Sequence, residues 1–437
     1  MAARFSTRPL GNRSTRAGSQ TELRRTHLRR IVHLLLEHGS LTQADLARRT
    51  GLAPSTISAL VAELRARDVV TREEAPGGRR GRHVHLAPAT GHVLGIDFGH
   101  RHVTVAIADL SRRILARERH VLPSGHHHDD GLGLVDGTVD ALLRHLDLAR
   151  GDLLAAGMVL PAPITPDGEI TARSVLPGWV DVVVPDEATR RLGLPVTVEN
   201  DANAGALGEH AWGAGVGVDD LVYVKLSNGI GAGLILGGRL YRGATGSVGE
   251  LGHTTTDPSG PVCRCGNRGC LETVAATSRV LATLADTHGT GLSVEDVVAA
   301  ALAGDVACRR VLEDTGTAVG LAVATLCSLV NPAMVVVGGA LAQAEEILLE
   351  PLRTAVARNG VESAVRGLRI RAGALGGDSQ LHGALALALE AAPLPYSSTE
   401  RSVRGARVQK HRLLNDFAVS CTGCRHCLDE SAGPGRL

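Results

Sequence analysis

The stretch that most constrains this chain is Gly249-Glu250-Leu251-Gly252-His253, followed by Cys263-Arg264-Cys265-Gly266-Asn267-Arg268-Gly269-Cys270-Leu271-Glu272. One histidine and three cysteines fall within eighteen residues, separated mainly by Gly, Pro, Thr and Asp. A loop this polar cannot hold its shape by packing. Three thiols with an imidazole are the donor set of a tetrahedral Zn²⁺ site. Four protein ligands, His253, Cys263, Cys265 and Cys270, leave no open position for a metal-bound water, so the expected Zn²⁺ is structural. Glu250 and Glu272 flank the ligands, and a rigid loop presenting two carboxylates suits the gripping of sugar hydroxyls. The competing reading is unrelated thiols in a flexible loop.

Composition narrows the setting. At 437 residues the chain holds more than one domain. No apolar run is long enough to cross a membrane, and the Arg- and Ser-rich first twenty residues lack the apolar segment of a signal peptide. Eight cysteines, three of them in a metal pattern, point to a reducing cytoplasm rather than a disulfide scaffold. The net charge of +1 conceals an asymmetry. Residues 1–90 carry sixteen Arg against seven acidic residues, and the remainder is net acidic. Only the front end is therefore expected to meet nucleic acid.

Residues 1–20 read as a disordered basic arm, and residues 21–88 as a winged helix-turn-helix. Leu28, Ile31, Val32, Leu35 and Leu36 fall at helical spacing over residues 23–38. Thr42 to Asp45 forms a capping box that opens a second helix, and Pro54 sits where a first helical turn accepts proline. In the third helix, Ile57, Leu60, Val61 and Leu64 form a buried stripe. That leaves Ser55, Thr56, Ser58 and Ala59 off the stripe, short enough to let the helix enter a major groove. Two strands near Val69–Arg72 and His83–Leu86 flank a glycine-rich tip carrying Arg79, Arg80 and Arg82, suited to phosphate or a narrow minor groove. A plain three-helix bundle is the alternative, and the Arg-loaded hairpin weakens it.

The body alternates strands and helices over residues 91–392. An apolar strand runs from Val93 into Asp97-Phe98-Gly99-His100-Arg101. A second strand meets a helix at Asn200-Asp201, a pair that also suits a helix cap. Ser227 to Gly233 reads as a Gly-rich turn, and the histidine run His126-His127-His128 with Asp129 and Asp130 reads as a solvated loop. Residues 393–437 lose periodicity and are expected to be a disordered tail, with Cys421, Cys424 and Cys427 as a weaker metal pattern.

Glu-x-Gly-His followed by Cys-x-Cys-Gly-x-x-Gly-Cys-x-Glu resembles the signature of the ROK family, named for repressors, open reading frames and kinases. The resemblance runs from about residue 23 to about 391. It implies an α/β chain: a winged helix-turn-helix followed by a two-lobed actin-like, ribonuclease H-like domain of the sugar-kinase type with a structural zinc loop. It implies that Asn200, Asp201, Glu250, His253 and Glu272 contact a sugar, and that Asp201 is the general base if the chain is a kinase. The kinase pattern has Gly-Thr where this chain has His100-Arg101, which alters the ATP-phosphate cradle. The expected function is a cytoplasmic DNA-binding regulator, a repressor of sugar-metabolism genes. Its partners are a double-stranded DNA operator and a sugar or sugar-phosphate effector, and it assembles as a homodimer or homotetramer. The alternatives are an ATP-dependent sugar kinase using ATP-Mg²⁺, and an inert dimerisation platform answering to a protein partner.

Overall fold

The computed structural model describes residues 20–74, 82–87, 91–170, 175–180 and 182–393. The N-terminal arm, the wing-tip residues Arg79 and Arg80, and the tail cysteines Cys421, Cys424 and Cys427 lie outside the described residues.

Helices α1 (Gln20–His38), α2 (Gln43–Thr50) and α3 (Pro54–Ala66) pack around Ile31, Val32, Leu35, Leu46, Ile57, Val61 and Leu64, all fully buried. The Thr42–Asp45 capping box starts α2, and Gly51, at φ 71°, ends it in the left-handed region that glycine favours. The strands β1 (Ser40–Thr42), β2 (Val70–Glu74) and β3 (Arg82–Leu86) form an antiparallel sheet in the order β1-β3-β2. Strand β1 is not expected from sequence. Ser-Leu-Thr is too short to show alternation, and only its pairing of Leu41 with Val84 makes it a strand.

Two five-stranded sheets form the lobes of the body. The first contains β4 (His92–Phe98), β5 (His102–Asp109), β6 (Ile114–Val121), β7 (Leu153–Leu160) and β8 (Val196–Asn200), in the order β6-β5-β4-β7-β8. The second contains β9 (Leu221–Leu226), β10 (Ile230–Leu236), β11 (Arg239–Tyr241), β12 (Met334–Gly338) and β13 (Arg369–Ala372), in the order β11-β10-β9-β12-β13. In each sheet the first strand pairs antiparallel with the second and parallel with the fourth, and the fifth continues parallel. The two lobes therefore repeat one topology.

The inner strands β4, β5, β7, β9, β10 and β12 are buried on both faces, which explains their near-continuous apolar runs. Along β9 and β12, Val222, Val224, Val335 and Val337 face the core of the second lobe. Tyr223 and Val336, which alternate with them, pack on Ala206. In the first lobe Leu94, Ile96 and Phe98 meet helix α4 (His128–His145) through Val135 and Val139.

Several elements differ from the sequence expectation. Helix α4 begins at His128, with exposed His127 as its cap, so only part of the histidine run is a solvated loop. His126 is buried, stacked 5.7 Å from the Phe98 ring and 5.9 Å from Trp179. Helix α5 (Val184–Leu192) has no counterpart in the sequence expectation. Among the segments beyond the metal-type loop, α7 (Glu272–Ala275) and α8 (Thr277–His288) are separated by Ala276, whose ψ of 153° breaks the helix. Helices α9 (Val294–Leu302) and α10 (Val306–Val330) follow, and Asn331 ends α10 in the left-handed region. Cys308 and Cys327 are buried in α10. Helices α11 (Glu346–Asn359) and α12 (Glu362–Val365) complete the second lobe.

The lobes join along α6 (Asp201–Trp212) and α13 (Ser379–Ala391). A Cβ on Gly383 would lie 1.9 Å from the Ala204 carbonyl oxygen, so only glycine allows these helices to cross at backbone contact. The expected Gly-rich turn is shorter than its sequence suggests: β10 already starts at Ile230, and Gly233 lies inside it. A Cβ there would meet the Ala202 carbonyl oxygen at 2.5 Å and the Ala206 Cβ at 2.7 Å. Glycine in this strand thus serves close approach of a helix rather than turning the chain. Gly233→Ala is expected to destabilise the chain by about 1–3 kcal/mol through overpacking. Denaturant unfolding checks this, and an unchanged midpoint would show that β10 does not fix α6.

Candidate functional site

The strands that end at the interlobe face set out a cavity of about 520 Å³, within the range of small-molecule sites. It lies where open α/β sheets bind ligands, beyond the carboxyl ends of strands. Asn200, Asp201, Glu250, His253 and Glu272 all line it, together with His100, Lys225 and Arg264. The five residues expected from sequence, drawn from β8, α6 and the cysteine loop, are therefore brought together.

Asn200 closes β8 and caps α6. Its Oδ1 accepts from the N–H groups of Ala202 at 2.8 Å and Asn203 at 3.4 Å, and its Nδ2 donates to the Ala162 carbonyl at 3.1 Å. Asn200 thus does the work of a helix cap, leaving one amide hydrogen for the cavity. Its neighbour Asp201 forms an ion pair with Lys225 at the end of β9. Glu272 is also paired: Arg264 Nε lies 2.6 Å from Oε1, and the Ile230 N–H donates to Oε2 at 3.2 Å. Glu250 lies 3.8 Å from His253 Nε2 and stays more open.

Lys225 and Arg264 are the residues that sequence reasoning missed. Lys225 is one of two lysines in an Arg-rich chain, and this rarity was the one available signal. Their partners lie on other elements, so spacing alone cannot pair them.

The turn after β4 carries His100 and Arg101 where the kinase pattern has Gly-Thr. His100 lines the cavity, and its imidazole is pushed down by burial and by the nearby Lys225. It therefore stands there uncharged at neutral pH. Burial pushes Asp97 up to about 7, against the pull of Lys225. Asn228, in the turn between β9 and β10, accepts a hydrogen bond from Thr277 Oγ1 at 2.8 Å, which ties that turn to α8.

The cysteine loop closes one wall. His253, Cys263, Cys265 and Cys270 place one donor atom each within 4.8 Å of one another. Cys263 Sγ lies 3.6 Å from His253 Nδ1, and Cys265 Sγ lies 3.7 Å from Cys270 Sγ. Zinc–sulfur bonds of about 2.3 Å in a tetrahedron require sulfur–sulfur edges of about 3.8 Å, so the loop fits a tetrahedral ion. Burial, with the neighbouring thiols Cys265 and Cys263, pushes the Cys270 thiol up to about 12. A divalent cation would favour the thiolate instead. His253 turns Nδ1 toward the sulfurs and Nε2 toward Glu250, so one ring spans the metal-type cluster and the cavity.

On α3, Ser55, Ser58 and Ala59 are exposed and Thr56 is half-buried, opposite the buried stripe. Arg82 opens β3. Among the described residues, no helix is long and apolar enough to cross a membrane.

A winged helix-turn-helix joined to a two-lobed, sugar-kinase-type cleft defines a class of two-domain regulators in which a ligand domain accompanies a DNA reader. Residues 93–391 match the sequence profile of the ROK family and residues 29–81 that of the MarR family, and the chain belongs to the ROK family. It is 30% identical over 342 residues to the xylose repressor of Bacillus subtilis (strain 168), covering 77% of this chain and 88% of that one. A crystal structure of a ROK family transcriptional regulator, homologous to the Escherichia coli MLC protein, superposes with a TM-score of 0.68 at 26% identity, covering 84% of this chain and 96% of that one. A ROK family glucokinase from Streptomyces griseus, in complex with glucose and AMPPNP, superposes with a TM-score of 0.59 at 28% identity, covering 69% of this chain and all (100%) of the other.

Cys265→Ser is expected to abolish stoichiometric metal binding and lower the melting temperature, because three ligands hold an ion far less firmly than four. Elemental analysis of the purified chain with a melting curve checks both. A variant that keeps its metal would remove Cys265 from the ligand set.

Proposed function

We propose that this chain is a cytoplasmic transcriptional repressor of sugar-metabolism genes whose operator affinity is set by a sugar or sugar derivative bound between the lobes. The observation that carries this reading is the ion pair of Asp201 with Lys225 in a cavity joined to a winged helix-turn-helix. A kinase needs Asp201 free to take the proton of a sugar hydroxyl. Here Lys225 already engages that carboxylate, which leaves it placed to accept a hydrogen bond from a hydroxyl rather than to stand free as a base. His100 fills the place where a phosphate cradle needs bare backbone.

In this reading Asn200, Asp201, Glu250, His253 and Glu272 grip the hydroxyls. A Zn²⁺ held by His253, Cys263, Cys265 and Cys270 keeps the loop rigid. The α3 face with Ser55, Thr56, Ser58 and Ala59 enters the major groove, while Arg79, Arg80 and Arg82 reach the phosphates. Residues 21–88 read DNA, residues 91–392 bind the effector, and the active species is a homodimer or homotetramer. Sugar relieves repression only when the DNA-bound and free geometries bind it unequally. The similarity of this chain to a xylose repressor and to a solved regulator of the same family supports the assignment.

The kinase reading rests on the retained Asp201 and on the fold shared with a glucokinase. A thermal-shift panel of free and phosphorylated pentoses and hexoses, with and without ATP-Mg²⁺, separates the two. A ligand that binds only the native state raises its apparent stability by mass action. The repressor is expected to be shifted by a sugar and not by ATP-Mg²⁺; coupled shifts from both, with turnover, would establish the kinase. Replacing Arg79→Ala together with Arg80→Ala is expected to weaken DNA binding and lower the salt slope by up to about 2, roughly 1 for each phosphate no longer neutralised, leaving the sugar shift intact. A salt titration of DNA affinity checks this.

A further inference from the structure

Arg112 lies in the turn between β5 and β6, at a φ of 75° that is unusual for any residue but glycine. Buried Asp109 fixes this turn. Its Oδ1 accepts from Ser111 Oγ at 2.6 Å and from the Arg113 N–H at 3.0 Å, and its carbonyl accepts from the Arg112 N–H at 3.0 Å. A backbone held so firmly in a costly conformation aims its side chain.

The guanidinium reaches two helix ends. Nε and Nη2 donate to the Leu36 carbonyl at 2.9 and 2.6 Å, and Nη1 donates to the Ala211 carbonyl at 3.0 Å. Its carbon sits 4.6 Å over the Trp212 ring, which makes an edge contact with His382 of α13 at 5.5 Å. Leu36 belongs to the last turn of α1, in the DNA-binding head, and Ala211 to the last turn of α6. Carbonyls in a last turn have no partner within their own helix, and a cation there also meets the negative end of the helix dipole. One planar fork thus closes two helices from two domains.

Helix α6 is the same helix whose first residue is Asp201 and whose cap is Asn200. Its twelve residues span about 18 Å. At its far end Glu209 accepts from the N–H groups of Ala214, Ala374 and Leu375 and from Ser379 Oγ. A short helix gripped at both ends moves as one body. We infer that Arg112 is the positioning residue that couples the sugar cavity to the DNA-binding head: sugar contact at the start of α6 shifts its last turn, and Arg112 carries that shift to the last turn of α1. This inference rests on the sugar-binding reading above and adds the route by which that site controls the head.

The test is hydrogen exchange on the full chain, with D-xylose, D-glucose and N-acetyl-D-glucosamine each at saturating concentration. In the wild type, a bound sugar is expected to slow exchange at residues 199–203 and 249–253 and to change it several-fold at residues 35–39. In Arg112→Ala the cavity protection should remain and the sugar-dependent change at residues 35–39 should vanish. Arg112→Lys keeps the charge but cannot bond both carbonyls in one plane, and it should also lose the change. Arg113→Ala, in the same turn with an exposed side chain, should retain it. Cavity protection in the wild type without a change at residues 35–39, or a change that survives in folded Arg112→Lys, would overturn the coupling while leaving the sugar site intact. No cavity protection by any of the three sugars would overturn the sugar reading itself, and the coupling with it.

Discussion

Glu209 is fully buried in α6, and its carboxylate accepts from Ala214, Ala374, Leu375 and Ser379 at 2.8–3.0 Å. A carboxylate taken out of water costs several kcal/mol, and charge-assisted hydrogen bonds of about 1.5–3 kcal/mol each offset that cost. These bonds tie the end of α6 to the segment that enters α13. The two helices then cross at backbone contact through Gly383 and Gly208. Since α13 lies against β4 and β7 of the first lobe and α6 against β9 and β10 of the second, this seam fixes how the sheets face each other.

The cavity inherits its shape from that seam. Asp201 opens α6, so the close approach of α6 to Gly233 places its carboxylate beside Lys225 on the neighbouring strand. The opposite wall is a loop with little apolar content. Its backbone is pinned by short bonds such as the Cys263 N–H to the Asn267 carbonyl at 2.7 Å and the Gly269 N–H to the Pro261 carbonyl at 2.8 Å. The four metal-type donors converge on one point within this frame. One wall is thus held through packing and the other through polar cross-links.

The two folds of this chain also differ in how they are built. The head uses a small core of Ile, Leu and Val with a three-strand sheet. The body repeats one strand order twice, with the inner strands of each sheet covered on both faces. That repetition gives two lobes of like construction with a cleft between them, where either phosphate transfer or ligand sensing can be installed. Lys225 and His100 bear on that choice, because one is paired with Asp201 and the other lines the same cavity.

Much of this was legible from the sequence. The stripe Ile57, Leu60, Val61 and Leu64 marked the buried face of α3 because helical periodicity is local. The capping box at Thr42 and Asp45 was legible for the same reason. The cysteine spacing marked the metal-type loop because its ligands lie within eighteen residues. What could not be read was pairing across distance. Strand β1 exists only through β3, and glycines that looked like a turn at Gly231 and Gly233 are strand residues making room for a helix. Lys225 meets Asp201 across 24 residues, and Arg112 meets Leu36 and Ala211 across 76 and 99. Local pattern was enough for most of the elements, for the donor set and for the acidic residues of the site, since each of these depends on neighbours along the chain. Only the tertiary structure decided which cation neutralises Asp201 and which guanidinium joins the head to the ligand domain, because those partners are chosen by packing between elements that no local pattern relates.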